Sequence, residues 1–260
     1  MSEPRVTYFE NKAIVAKDLI RRFGTIAALD GLSLSVPGGS FFALVGSNGA
    51  GKSTTVRVLS GLLAPTSGRV RVLGLDPVRQ GRALRSIVGV VPDFPVLYEV
   101  LTPRENISRL SRLRGVPSKE ILPRLEELAE ALTLEGYLDQ PVKGLSQGTR
   151  KKAALAAALI HGPSLLFLDE PFEGIDPIAA HGIRCMLNLL RERGVTIFLT
   201  SHILPLVETL ATHVAIIDEG RLRVCGELEQ VMGAHASLEH AILDQLGAHR
   251  EVPKLEWYLP

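Results

Sequence analysis

The sequence predicts an α/β fold with a mainly parallel sheet, on three observations. An apolar run over Phe41–Val45 breaks into a glycine-rich loop and resumes as an amphipathic segment. Two further apolar runs, "SLLFLDE" (164–170) and "TIFLTSH" (196–202), flank a helical stretch over 177–193. That succession is a βαβ unit. Between these blocks, from about 102 to 160, the pattern changes to helical periodicity.

Taken in order, "LSLSV" (32–36), "FFALVG" (41–46), "RVRVLG" (69–74) and "IVGVVP" (87–92) alternate or run apolar between glycines and prolines, as strands do. Thr54 to Leu63 predicts a helix with Val56, Leu59 and Leu63 on one face. "RENISRLSRLRG" predicts another, with Ile107, Leu110 and Leu113 on one face and Gly115 ending it. "ILPRLEELAEALTL" and "GTRKKAALAAALIHG" are two more, the second almost all strong helix formers. The runs 164–170 and 196–202 are continuously apolar, the mark of strands buried on both faces. "HVAIIDEG" and "RLRVCGE" predict a final hairpin with Glu219 and Gly220 in its turn. A short amphipathic helix around "SLEHAILDQL" follows, then a tail with Trp257 and Tyr258.

The 260 residues carry 29 basic and 28 acidic side chains, so no broad field advertises nucleic acid or an anionic membrane. Cys185 and Cys225 are far apart without metal-like spacing, which predicts buried or half-buried thiols in a reducing compartment. "MSEPRVTYFENK" has no apolar segment of the secretory type. The most apolar stretch, 195–217, contains Ser201, His202, Pro205 and Glu208, which excludes a membrane span there. The expectation is a soluble, cytoplasmic chain.

Gly46-x-x-x-x-Gly51-Lys52-Ser53, between a strand and a helix, fits the phosphate-binding loop in full. Glycines let backbone N–H groups curl around an anion without Cβ clashes, and the helix N-terminus adds partial positive charge. In this reading Lys52 reaches the β- and γ-phosphates of a nucleotide and the Ser53 hydroxyl ligates Mg²⁺. The alternative is an ordinary glycine-rich strand–helix turn.

Asp169 and Glu170 stand at the C-terminal end of a buried strand, where α/β sheets bind ligands. Asp169 suits the Mg²⁺ ion, which takes oxygen ligands, and Glu170 is placed to polarise a water toward the γ-phosphate. His202 ends another such strand, which favours a γ-phosphate contact over a structural role. Ser146 and Gly148 precede a long helix, a second anion-ready N-terminus. One triphosphate does not need two such sites, so the second would serve the nucleotide of another subunit. A plain N-cap satisfies the same residues equally well.

On these residues the chain resembles the nucleotide-binding subunit of ATP-binding cassette transporters. Gly46, Ser47, Asn48, Gly49, Ala50, Gly51, Lys52, Ser53 and Thr54 match the phosphate loop. Leu145, Ser146, Gln147 and Gly148 match the family signature, and Leu165–Glu170 matches the Mg²⁺ strand with its catalytic glutamate. Gly174, Ile175 and Asp176 match the D-loop, which adds Asp176 to the nucleotide site, and His202 matches the switch histidine. Phe23 falls where the family stacks an aromatic ring on adenine; a place in the core is the alternative for it.

The resemblance implies a P-loop NTPase (RecA-like) core, an N-terminal antiparallel β subdomain and a helical subdomain inserted at about 94–160. It implies an ATPase domain over 1–232, with 233–260 as a C-terminal helix and tail. It further implies ATP and Mg²⁺ as cofactors and a head-to-tail pair of subunits, homo- or heterodimeric, with two ATP molecules between them. Closure of the pair would drive a separate transmembrane permease, and the chain would meet the cytoplasmic face of the membrane only through that partner. "LSQGTRKK", "TSHILPLVETLATHVAIIDEGRL" and "SLEHAIL" are similar to the drug- and polymer-exporter branch.

One position departs. Where the family carries a glutamine that contacts Mg²⁺ and the attacking water, this chain has Asp93. Asp is shorter and charged, so hydrolysis is retained with altered coordination, slowed, or left to a partner's site; with Glu170 and His202 both present, the first is preferred. The apolar loop "FPVLYEVLT" after it fits a contact surface for the permease or packing within the helical subdomain. Two other functions share these motifs: a soluble cassette ATPase acting on ribosomes or DNA, and a nucleotide-binding regulator with weak hydrolysis. The 94 positions from Lys52 to Ser146 leave no room for the coiled coil of DNA-repair relatives.

Overall fold

The structure is a computed structural model and describes residues 11–245. It opens with two long antiparallel strands, β1 (Lys12–Phe23) and β2 (Ile26–Pro37), followed by β3 (Phe41–Val45) and α1 (Lys52–Leu59). β4 (Ser67–Val72) returns to pair with β1, so the first sheet has the order β2-β1-β4. α2 (Gly81–Ile87) leads into β5 (Val88–Val91). Three helices then separate β5 from the next strand: α3 (Pro103–Leu113), α4 (Ser118–Leu132) and α5 (Gln147–Leu159). The chain re-enters the large sheet as β6 (Leu165–Asp169), crosses over through α6 (Pro177–Glu192) and continues as β7 (Thr196–Ser201). α7 (Leu204–Leu210), β8 (His213–Asp218), β9 (Arg221–Glu227), α8 (Leu228–Met232) and α9 (Leu238–Gln245) complete it.

The second sheet has the order β5-β6-β7-β3-β8-β9, parallel except for β9 at its edge. β3, β6 and β7 are buried at every residue, because both faces are covered. Phe42 and Leu44 of β3 point into a cluster with β1, β2 and α1, where Phe42 stacks on Phe198 of β7 at 5.5 Å between centroids. Such a ring contributes about 1.5–3 kcal/mol through burial, so the two faces of β3 hold the small sheet and the helices onto one strand. Phe41 points the other way, into a core shared with α3, α4, α5 and α6.

Helix starts follow local chemistry. α3 begins with a capping box in which Thr102 and Glu105 each satisfy the other's backbone N–H, with Pro103 in the first turn. Asp176 caps α6 by accepting from Ile178 and Ala179 N–H, again with a proline next. The β8–β9 turn places Glu219 and Gly220 at positive φ, as the predicted hairpin requires.

One strand is unforeseen and three expectations are corrected. β1, twelve residues long, is not apparent from its sequence: its pairing shifts register between Ala16 and Leu19, with Asp18 at φ 50°, so the apolar alternation is broken. α1 stops at Leu59, and Leu63 lies beyond it. On α3, Leu113 is 74% exposed while Ile107 is buried, so the inner face runs through Pro103, Ile107 and Ser111. Cys185 and Cys225 are both exposed instead of buried. The predicted C-terminal helix is present as α9; Trp257 and Tyr258 lie outside the described residues.

Candidate functional site

Parallel register sets the site. Val45 lies opposite Ser201, Asp169 opposite Thr200, and Val91 opposite Leu168. Four neighbouring strands therefore end level, and the residues that follow them share one edge: Gly46 after β3, Glu170 after β6, His202 after β7 and Asp93 after β5. A cleft of about 470 Å³ opens there, walled by Ser47–Gly49, Gly51–Thr54, Asp93, Glu170 and His202. Ala28 and Glu173 also line it, which the sequence patterns did not single out.

The glycine loop closes the cleft from below. Gly51 has φ 109°, and a Cβ there would sit 2.6 Å from the Ala28 carbonyl oxygen, so only glycine fits. α1 begins at this residue with no side-chain cap and no acidic residue in its first turn, which leaves its N-terminal N–H groups facing the cleft. Lys52 is almost fully buried, and its Nζ donates to the carbonyls of Gly46 (2.8 Å) and Ser47 (3.2 Å). The ammonium thus folds back over the loop, 3.7 Å from Glu170 Oε1.

Ser53 Oγ donates to Asp169 Oδ1 at 3.2 Å, which joins the loop to the end of β6. The same carboxylate oxygen accepts from Thr200 Oγ1 at 2.5 Å. Glu170 takes φ 48°, a left-handed conformation that a non-glycine residue holds only under constraint. Its N–H donates to both oxygens of Thr200, at 3.2 Å each, and its carbonyl accepts from Lys151 Nζ at 2.7 Å. The Glu170 side chain lies with Oε2 3.0 Å from His202 Nδ1.

Asp93 is in the cleft wall, with Oδ1 3.3 Å from Lys151 Nζ; the structure does not join it to Ser53 and Asp169. Phe23 is 47% exposed at the end of β1, under the Arg21 guanidinium at 4.7 Å, so the core alternative for it is excluded. It is not a wall of the cleft. Ser146, Gln147, Gly148 and Asp176 also lie outside the cleft. Ser146 Oγ accepts from Thr149 N–H at 3.2 Å and caps α5. A Cβ on Gly148 would stand 2.7 Å from the Gly174 carbonyl oxygen, so this turn packs directly on the one before α6.

Two residues central to this arrangement, Thr200 and Lys151, were not legible. Thr200 reads as one more residue of a buried strand, and Lys151 as one of several charged helix formers. Lys152, beside it, behaves differently: its Nζ donates to the Thr133 carbonyl, and burial lowers its pKa against the opposing pull of Asp176 and Glu135.

The chain is similar to known proteins along most of its length. Residues 29–173 match the family model for ABC transporters. The chain is 36% identical over 210 residues to the bacitracin transport ATP-binding protein BcrA of Bacillus licheniformis, a match covering 80% of this chain and 68% of that one. It is 39% identical over 211 residues to the Nod factor export ATP-binding protein I of Paraburkholderia xenovorans, covering 81% and 69%. Among solved structures, one described as the ATP-binding subunit of an ABC transporter superimposes with a TM-score of 0.85 at 30% identity, over 90% of this chain and 99% of that one. This chain therefore belongs to the ABC transporter family, as an ATP-binding and ATP-hydrolysing subunit.

Proposed function

We propose that this chain powers export through a separate transmembrane permease, hydrolysing ATP at the cleft between β3 and β6. The observation that carries the reading is the convergence of Lys52, Ser53, Asp169, Glu170 and His202 on one edge of the sheet. Transport relatives favour it over a cassette acting on ribosomes or DNA. In this reading residues 1–232 form the ATPase unit, with the helices at about 94–160 inserted in it.

The residues fit a magnesium nucleotide. The loop of Gly46, Ser47, Asn48, Gly49, Ala50 and Gly51 and the uncapped N-terminus of α1 through to Thr54 offer backbone donors to phosphate, the Ala50 N–H being engaged by the Ser47 carbonyl at 3.2 Å. Lys52 exchanges its carbonyl partners for the β- and γ-phosphates. Ser53, in the cleft wall, and Asp169, buried beneath it, would supply hard oxygen donors for Mg²⁺; Asp93, in the wall but not joined to them, is a further candidate. The ion, when bound, screens the phosphate charge. Glu170 accepts the proton of the attacking water, and His202 holds the carboxylate while facing the γ-phosphate. Phe23 offers an exposed ring for adenine.

Ser146, Gln147, Gly148 and Asp176 stand outside the cleft of their own subunit, which supports their use on the nucleotide of a second, head-to-tail copy or homologue. Phe94, Val96, Tyr98 and Val100 are all exposed on the loop after Asp93, which supports docking of the permease there and a peripheral position on the cytoplasmic face. Among the described residues no helix is long and apolar enough to cross a membrane.

The test is Mg²⁺-ATP hydrolysis by the purified chain as a function of its concentration, with Glu170→Gln alongside. A rate per subunit that rises with concentration and is lost in the variant supports the shared sites and the role of Glu170. Turnover that is independent of concentration, or that survives Glu170→Gln, overturns them.

A further inference from the structure

Lys151 is 1% exposed, on the inner face of α5. A buried ammonium is retained only where oxygens surround it. Three do, from two segments: the Glu170 carbonyl at 2.7 Å and Glu173 Oε2 at 3.8 Å from the turn after β6, and Asp93 Oδ1 at 3.3 Å from the loop after β5. No mechanism step above uses this lysine, yet it touches the peptide of the proposed base and the residue that departs from the family pattern.

Both contacts answer a structural problem. Glu170 holds φ 48°, and its backbone is fixed on both sides of Cα, by Thr200 at the N–H and, at the carbonyl, by Lys151 at 2.7 Å with a long contact from the Glu173 N–H at 3.4 Å. The direction of the Glu170 side chain follows from that backbone. Asp93 places a further carboxylate, beside those of Glu170 and Glu173, in the wall of a cleft that receives a triphosphate, where added negative charge repels the ligand. Lys151 is the cation beside it.

We propose that Lys151 is a positioning residue for hydrolysis: it clamps the Glu170 peptide in its left-handed conformation and neutralises Asp93, so that a carboxylate stands beside the triphosphate without repelling it. The proposal rests on Glu170 as the base. It separates two effects, one on turnover through Glu170 and one on nucleotide affinity through Asp93.

The experiment compares Lys151→Gln, Asp93→Gln/Lys151→Gln and Lys151→Arg in the full chain, with Glu170→Gln as reference. Three quantities are read: kcat, the Kd of trinitrophenyl-ATP, and far-UV circular dichroism. Lys151→Gln lowers kcat about 100-fold, as misplacement of a catalytic group does. It also weakens nucleotide binding about tenfold, because Asp93 is unmasked. The double variant regains the affinity but not the turnover, since the Glu170 carbonyl still lacks the ammonium and keeps only the long Glu173 N–H contact. A merely structural lysine moves both quantities together and is not rescued.

A kcat within about threefold of the parent in Lys151→Gln overturns the clamp. A double variant that binds no more tightly than Lys151→Gln overturns the neutralisation. Should Lys151→Gln lose its helical signal, Lys151→Arg decides: affinity kept with kcat reduced supports the proposal, and both unchanged or both lost sink it. Native turnover in Glu170→Gln defeats the underlying function instead, whatever the lysine variants do.

Discussion

Nδ1 of His202 lies 3.0 Å from Oε2 of Glu170, across the gap between the ends of β7 and β6. The histidine side chain is half exposed and the carboxylate is buried, so the pair links solvent to the floor of the cleft. Glu170 meets Lys52 on its other oxygen at 3.7 Å. Its carboxylate is thus held between two groups that face the phosphates in the proposed complex.

Removing His202 frees that carboxylate. His202→Ala is expected to lower kcat about 100-fold, the scale of general acid–base contributions, while nucleotide affinity changes little. Steady-state hydrolysis and equilibrium nucleotide binding on the same preparation check this. An unchanged kcat removes His202 from the mechanism.

Gly51 combines a positive φ with a close backbone neighbour, the Ala28 carbonyl. Gly51→Ala forces a Cβ to 2.6 Å from the Ala28 carbonyl at a φ of 109°, at a cost of about 1–3 kcal/mol. The loop relaxes away from its anion-binding shape, so nucleotide affinity falls along with the melting temperature. Thermal melting with and without ATP measures both, and a variant with the parent's ATP-induced stabilisation contradicts the fit.

Head-to-tail sharing makes a sharp prediction for mixed subunits. Lys52→Ala damages the loop side of a shared site, and Ser146→Ala damages the signature side at a further cost of about 1 kcal/mol in the cap of α5. Each variant alone is expected to be nearly inactive. An equimolar mixture recovers about a quarter of native turnover, because half the pairs are mixed and each mixed pair retains one intact site of two. No recovery argues against composite sites.

His161 sets an acid limit on stability. Its Nε2 lies 3.1 Å from the Val88 carbonyl, Nδ1 is buried without a partner, and Arg114 and Arg124 face it. Burial, then Arg114, lowers its pKa, against a smaller opposing effect of the Val88 contact. The unfolded chain therefore binds a proton that the folded chain resists. The stabilising effect is present above about pH 6.5 and is lost as pH falls through the folded-state value. Melting temperatures from pH 8 down to about pH 5 are expected to fall less steeply in His161→Gln than in the parent. Parallel curves refute the assignment.

Features set within a few neighbouring residues were legible in the sequence. The spacing Gly46, Gly51, Lys52, Ser53 specifies a loop by backbone sterics alone, and its flanking strand and helix are adjacent in the chain. The same holds for the runs of β6 and β7, for the cap at Ser146 and for the β8–β9 hairpin, each decided by local burial pattern or turn chemistry. The tertiary structure decided everything that depends on which distant segments touch. It brought Asp93, Glu170 and His202 level by the order β5-β6-β7-β3, and it exposed Leu113. It also buried Lys151 among three oxygens from outside its own helix. A lysine on a helix carries the same local propensity whether water or a carbonyl receives its charge. Only the packing of α5 against the ends of β5 and β6 chooses between them.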